Sequence, residues 1–225
     1  MATDFRSLDD INRRLELAAD ELRALAQDQA KTPEALMEQA RRRVEASARV
    51  LALLADQQRL RLFSRAEQGI REKVGRSSTK DLLVGITELV ANTGGPLSCG
   101  VLLGNGVCNG TALVASRAWT DRFARWHAEL AAGPGRCPLL AVRGAVTSIV
   151  VDRIALAGSW PEWRARALAN GWRSAAAMRV QTGMDAPAGA LLLYSKTLGM
   201  AARDLIVAER AADLAGQILR ATPRE

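Results

Sequence analysis

One histidine, His127, three cysteines, Cys99, Cys108 and Cys137, and one tyrosine, Tyr194, bound the chemistry open to this chain. A Ser–His–Asp triad or a multi-histidine metal site has little to draw on. His127 follows Trp126 in a segment of helical spacing and reads as a helix-surface histidine rather than a haem or metal ligand. Cys137 would act as a redox sensor only with a depressed pKa. Arg136 is the one neighbour in sequence that would lower it, so a buried, inert thiol is expected. The glycine-rich stretch GNGVCNG at residues 104–110 lacks the Lys-Ser/Thr pair with which a phosphate loop holds a nucleotide and Mg²⁺. No catalytic constellation emerges, and no enzymatic activity is expected.

The aromatic residues are scarce and unevenly placed. Of five Trp, three Phe and one Tyr, the stretch GSWPEWRARALANGWRS (residues 158–174) holds Trp160, Trp163 and Trp172. It leads into SAAAMRV, whose side chains are mostly small. Large side chains on connecting segments beside a strand of small ones either line a ligand cleft or fill a core. Packing is favoured, and ligand contact stays open. Trp163 reads as a plug against the sheet, while Trp160 and Trp172 flank a short helix at the cleft rim. The candidate lining residues are Trp119, Phe123, Cys137, Trp160, Met178 and Tyr194, with Arg173 or Tyr194 supplying polarity. Nothing in the sequence names a cofactor.

The chain of 225 residues carries a formal charge of +7. The excess is thinly spread: residues 1–78 hold fifteen Lys/Arg against thirteen Asp/Glu, and residues 79–225 sixteen against eleven. Only Arg41, Arg42 and Arg43 cluster, and consecutive helical residues fan around the axis. A groove-binding surface would gather its cations on one face. A solvated, arginine-rich surface is therefore expected, and nucleic acid is not an expected partner. The opening residues are charged throughout, with no signal peptide, and no apolar run is long enough to span a bilayer. A cytoplasmic protein with reduced thiols and no membrane partner is expected.

These residues need elements to position them. Leu8, Ile11, Leu15, Ala18, Leu22 and Leu25 alternate spacings of three and four, the period of a helical seam, and Ser7 with Asp10 resembles a capping box. Thr32 and Pro33 start a second helix that runs to about Val74, roughly 63 Å. Leu36, Ala40, Val44, Ser47, Leu51 and Leu54 continue the alternation. Val50, Leu53, Leu60, Phe63, Ile70 and Val74 form a neighbouring stripe. The first helix, folded back, covers part of the long one, and a second copy of the chain is expected to cover the rest.

After the break at residues 75–79, Ser78 and Asp81 restart a helix that buries Leu82, Leu83, Ile86, Leu89 and Val90. Asn105-Gly106 between apolar runs predicts a two-residue hairpin loop that sets Leu103 opposite Cys108 and Cys99 opposite Ala112. The face of Cys99, Val101, Leu103 and Val114 should meet the core. Cys99 and Cys108 then lie about 13 Å apart along the strand, out of disulfide reach. A helix with Trp119, Phe123, Trp126 and Leu130 on one side follows, then a strand in VTSIVVD. Residues 160–170 read as a short helix, with Ser159 and Glu162 as a capping box and Gly171 as its stop. Two further strands surround GMDAPAG, and a last helix buries Leu205, Ala208, Ala212, Ala215 and Leu219.

The segments GPGRCPLLAVRG (residues 133–144), SIVVD (148–152), WPEWRARALANGWRS (160–174) and GALLLYSKTLGMAARDLIVAERAADLAGQIL, in this order and spacing, resemble a GAF domain. The pattern is closest to the GAF domains that precede ANTAR domains in bacterial regulators. The resemblance implies a PAS-like antiparallel sheet with flanking helices, helices on one side and a small-molecule or protein-contact cleft on the other. It also implies a sensory or relay role, with dimerisation through flanking helices. Arg136 stands where that family often has Pro, and no ANTAR segment follows the last helix. Free methionine sulfoxide reductases also resemble GAF domains, but the cysteine pattern here does not match theirs.

The sequence thus predicts an α+β chain: residues 1–76 as a helical hairpin or coiled-coil dimerisation region and residues 77–225 as a GAF domain. The expected function is that of a non-enzymatic sensory or regulatory homodimer relaying a small-molecule or protein signal. A nucleic-acid-binding regulator using the Arg-rich helices and a GAF-fold redox enzyme are the alternatives.

Overall fold

The computed structural model describes residues 8–27, 32–93, 97–104, 112–116, 118–131, 137–143, 146–183 and 187–221. The chain divides into two compact units, Met1–Leu62 and Phe63–Glu225. Ser7, the Asn105-Gly106 turn, Cys108 and the turns at 133–136 and 184–186 lie outside the described residues.

The first unit is built on α1 (Leu8–Gln27) and on α2 (Pro33–Arg71), whose last turns belong to the second unit. Thr32 caps α2, its Oγ1 accepting from the Ala35 amide at 3.2 Å. The helices fold back on each other: Gln57 Nε2 donates to Asn12 Oδ1 at 2.6 Å, and Arg49 pairs with Glu21 at 2.9 Å. Arg43 donates to the Leu25 carbonyl, occupying an acceptor that the end of α1 leaves free. Ile11 and Ala46 are buried, and Val50 and Leu53 are half-buried. The other stripe of α2 faces solvent: Leu36, Val44, Leu51 and Leu54 are 53%, 69%, 67% and 41% exposed. The three clustered arginines diverge as helical geometry requires, Arg41 to Glu45, Arg42 to Glu38 and Arg43 to Leu25.

The second unit opens with the end of α2. Arg210 donates to Glu67 Oε2 at 2.5 Å and to Ser64 Oγ at 3.2 Å, and its guanidinium lies over the Phe63 ring. Arg71 bonds both Glu67 and Gln217. Then come α3 (Thr79–Thr93), β1 (Leu97–Leu103), β2 (Ala112–Ala115), α4 (Asp121–Ala131), β3 (Ser148–Val151), α5 (Pro161–Ala169), β4 (Ser174–Gln181), β5 (Pro187–Ser195) and α6 (Ala202–Ala221). Ser78 caps α3 as its spacing predicts: Ser78 Oγ accepts from the Asp81 amide at 3.1 Å, and Leu82, Leu83, Ile86, Leu89 and Val90 are buried.

The five strands form one antiparallel sheet in the order β2-β1-β5-β4-β3. The fold is therefore α+β, an antiparallel sheet with flanking helices preceded by long helices. Pack α3 and α6 against the sheet, and Gly216 allows α6 to reach β4: a Cβ there would sit 2.1 Å from the Gln181 carbonyl oxygen. The opposite face carries Leu102, Ala175, Ala177, Ala190, Leu192 and Tyr194 into a core shared with α4, α5 and the 3₁₀ turn at Pro138–Arg143.

Local expectations of the hairpin register and of the α5 cap are corrected. Leu103 pairs with Ala112, not Cys108, and Cys99 faces Ser116, whose amide donates to the Cys99 carbonyl at 2.8 Å. The shift is by an even number of residues, so side chains keep their faces. The face of Cys99, Val101 and Leu103 is buried as expected, and the opposite face of β1 is buried too. Ser159 does not cap α5: the cap position is Trp160, with no side-chain bond, and Pro161 fills the first turn.

Candidate functional site

The site is an aromatic cluster on the β5–β4 face, built from the sheet upward. Tyr194 stands on β5 between the small residues of β4, being paired with Ala175. Gly100 on β1 leaves room for Trp119, since a Cβ there would lie 3.2 Å from the indole ring. Thr120 caps α4, accepting from the Phe123 amide at 3.2 Å, and starts the helix just after Trp119. The helical repeat then places Phe123, Trp126, His127 and Leu130 on the sheet side, all buried.

Phe123 is the hub. Its ring centroid lies 4.9 Å from Trp119, 5.5 Å from Trp126, 5.1 Å from His127, 6.2 Å from Trp172 and 5.2 Å from Tyr194. Trp163 of α5 closes the cluster, its Nε1 donating to Tyr194 Oη at 2.8 Å. The same hydroxyl lies 2.5 Å from His127 Nε2. An indole N–H can only donate, so Tyr194 Oη accepts from Trp163, while the direction of its bond to His127 Nε2 is set by the imidazole tautomer. Burial pushes the His127 pKa down to about 3, which keeps the ring neutral at physiological pH.

Four polar atoms in this cluster are buried without a hydrogen-bond partner among the described residues: Nε1 of Trp119, Trp126 and Trp172, and Nδ1 of His127. Cations stand over two of these rings from outside, Arg166 at 5.4 Å from the Trp126 centroid and Lys196 at 5.9 Å from that of Trp172.

Of the sequence-predicted lining residues, Trp119, Phe123 and Tyr194 meet directly, and Cys137 is buried in the same core. Burial pushes the Cys137 thiol up to about 12, so it is protonated and unreactive. Trp160 is partly buried at the cluster's edge, and Trp163 is the expected plug. Trp172 is not a rim residue. Gly171, at φ +80°, turns the chain so that the Trp172 amide bonds the Ala167 carbonyl and the indole is buried. Met178 pairs with Leu191 and so lies on the helix-covered face, opposite Tyr194. Arg173 is exposed. His127, read as a surface residue, is fully buried. Its place four residues after Phe123 was the signal for that. Among the described residues no group of His, Cys, Asp and Glu could hold a metal ion, and no helix is long and apolar enough to cross a membrane.

No family model matches the chain, and no curated protein matches it. Solved structures do resemble it. The GAF domain of a phosphoenolpyruvate-protein phosphotransferase from Coxiella burnetii is 12% identical, with 70% of this chain and 92% of that one covered at a TM-score of 0.48. The GAF domain of a sensor histidine kinase from Pseudomonas syringae pv. tomato is 15% identical over 80% and 91%, at 0.45. A two-component sensor histidine kinase domain from Sinorhizobium meliloti 1021 is 14% identical over 62% and 89%, at 0.47. Identities and TM-scores this low carry no function from one chain to the other.

Proposed function

We propose that the chain is a non-enzymatic, cytoplasmic GAF-type sensory or regulatory protein, akin to the GAF domains of GAF–ANTAR regulators. It works as a homodimer that relays a small-molecule or protein signal. Its N-terminal helices hold the two copies together, and the aromatic cluster is where the signal is read.

One observation carries the reading: a single helix, α2, bears both ends of such a relay. Over Leu36, Val44, Leu51 and Leu54 it offers solvent an apolar seam of three–four spacing. A single copy leaves that stripe in water, and a second copy would bury it. At its other end Glu67, itself buried, is held by Arg71 and by Arg210 of α6, the helix that packs on β4 and β5. Nucleic acid is the weaker reading, because Arg41, Arg42 and Arg43 are each engaged within the chain.

Native mass spectrometry of the intact chain tests this. The expected result is a species of twice 24.2 kDa. A single 24.2 kDa species at every concentration up to tens of micromolar, about the range of weak association, would overturn the relay.

A further inference from the structure

Leu156 and Leu198 are 73% and 67% exposed, the most exposed large apolar side chains described between Phe63 and Glu225. Neither sits on a loose segment. Leu156 stands on the 3₁₀ turn Ile154–Leu156, where its amide bonds the Arg153 carbonyl at 3.0 Å and the Ala157 amide bonds that of Ile154 at 3.0 Å. Ile154 and Ala157 are buried and anchor the turn. Leu198 stands on the turn after β5. The Ser174 hydroxyl lies 2.9 and 3.0 Å from the Thr197 and Gly199 carbonyl oxygens, and the Thr197 amide donates to Ser195 Oγ at 3.1 Å. The Gly199 amide donates to the Asp152 carbonyl at 3.0 Å, which ties the two turns into one end of the sheet. Ordering a backbone costs entropy, and here it holds two leucines in water. One exposed leucine needs no explanation, but two on neighbouring pinned turns form a patch.

The same end of the sheet gathers positive charge. The Ile154 amide donates to the Arg173 carbonyl at 2.9 Å, and the Arg173 amide to the Ser195 carbonyl at 2.7 Å. Arg153, Arg173 and Lys196 therefore lie on three neighbouring segments, and segments bonded in this way run about 5 Å apart. All three side chains are exposed. None has an ion pair among the described residues, and Lys196 stands over the Trp172 ring at 5.9 Å. Asp152 is the one acidic residue in the segments 152–157, 172–174 and 195–199. Arg41, Arg42 and Arg43, by contrast, are each answered within the chain. Gathering like charges is unfavourable unless an anion answers them.

We infer that this end of the sheet docks an acidic segment of a partner protein. Its apolar side chains cover Leu156 and Leu198, and its carboxylates meet Arg153, Arg173 and Lys196. Charge complementarity selects that occupant. A nucleic-acid backbone would use the cations and leave both leucines in water. An anionic bilayer is held by clusters of about four to eight Lys/Arg on or beside an amphipathic or spanning helix, and three cations against one carboxylate are too few. The surface lies wholly within the second unit and does not depend on the α2 seam, so it stands or falls apart from the dimer.

The test is fluorescence anisotropy of the full-length chain with three labelled peptides of equal length, built from Glu and Leu, from Lys and Leu, and from Glu and Ser. The Glu/Leu peptide should bind saturably, the Glu/Ser peptide about tenfold or more weakly, and the Lys/Leu peptide not at all. Arg153→Glu with Arg173→Glu should weaken the Glu/Leu peptide about tenfold or more, and so should Leu156→Ser with Leu198→Ser. Arg76→Glu with Lys80→Glu makes the same change of net charge at exposed positions elsewhere and should leave its affinity unchanged. No binding of the Glu/Leu peptide, equal binding of either other peptide, or patch variants that bind like the parent would each overturn the inference. Duplex DNA or phosphatidylserine vesicles that displace the Glu/Leu peptide would overturn it too, in favour of that class of partner. If a patch variant loses the circular dichroism of the parent, the three-peptide comparison on the parent chain still decides.

Discussion

The Tyr194 hydroxyl stands 2.5 Å from Nε2 of His127 and 2.8 Å from Nε1 of Trp163, so one oxygen joins β5 to α4 and α5. Tyr194→Phe keeps the ring and deletes that oxygen, leaving two buried nitrogens unpartnered. Each such group costs about 1–3 kcal/mol, so the variant should lose about 2–6 kcal/mol. Denaturant unfolding should show this as a lower midpoint at unchanged slope.

His127 gives the fold a pH dependence of known sign. Burial pushes its pKa from 6.5 down to about 3, so the unfolded chain takes the proton first. The stability held by the neutral imidazole is complete above pH 6.5 and falls as pH drops from there toward 3, at up to about 1.4 kcal/mol per unit. Tyr194 and Cys137, its titratable neighbours, have raised pKa values and stay neutral in that window. His127→Gln should flatten the curve relative to the parent between about pH 6.5 and 4, measured by urea unfolding at each pH.

Much of this was legible in the sequence. Thr32, Pro33 and Ser78 mark helix starts that the structure keeps, because capping chemistry is local. The wrong readings concern information that is not local. β1 is buried on both faces, so its alternation could not set the hairpin register, and Asn105-Gly106 suggested a shorter loop than the pairing of Leu103 with Ala112 permits. Met178 was placed in the cleft because a strand's parity relative to its neighbour is fixed only by register. His127 was misjudged by residue type, which favours the surface, although its spacing from Phe123 put it inside. The unsatisfied N–H groups have no sequence signal at all.

Trp160 and Trp163, from the stretch at residues 158–174, should separate by burial. Trp163 is fully buried and bonded to Tyr194, so Trp163→Ala should cost roughly 3–5 kcal/mol. Trp160 is only partly buried against the cluster, and Trp160→Ala should cost clearly less than that. Paired chemical melts of the two variants check the order.

The two described thiols, Cys99 and Cys137, should be silent in the folded chain. Burial pushes Cys137 up to about 12 and Cys99 higher still, so neither is a thiolate at neutral pH. Iodoacetamide should leave both unlabelled in the native protein and label both in denaturant, as peptide mass spectrometry will show. Rapid native labelling of Cys137 would revive the redox-enzyme alternative.

The exposed seam of α2 is what the proposed relay depends on. Light scattering across a concentration series measures it directly, on the intact chain and on a variant carrying Val44→Asp and Leu51→Asp. Both positions are solvent-exposed in a single copy, at 69% and 67%, so the substitutions should leave the fold intact by circular dichroism. The account predicts twice the 24.2 kDa chain mass for the parent and a 24.2 kDa monomer for the variant. A parent that stays at 24.2 kDa, or a variant that remains as large as the parent, contradicts it.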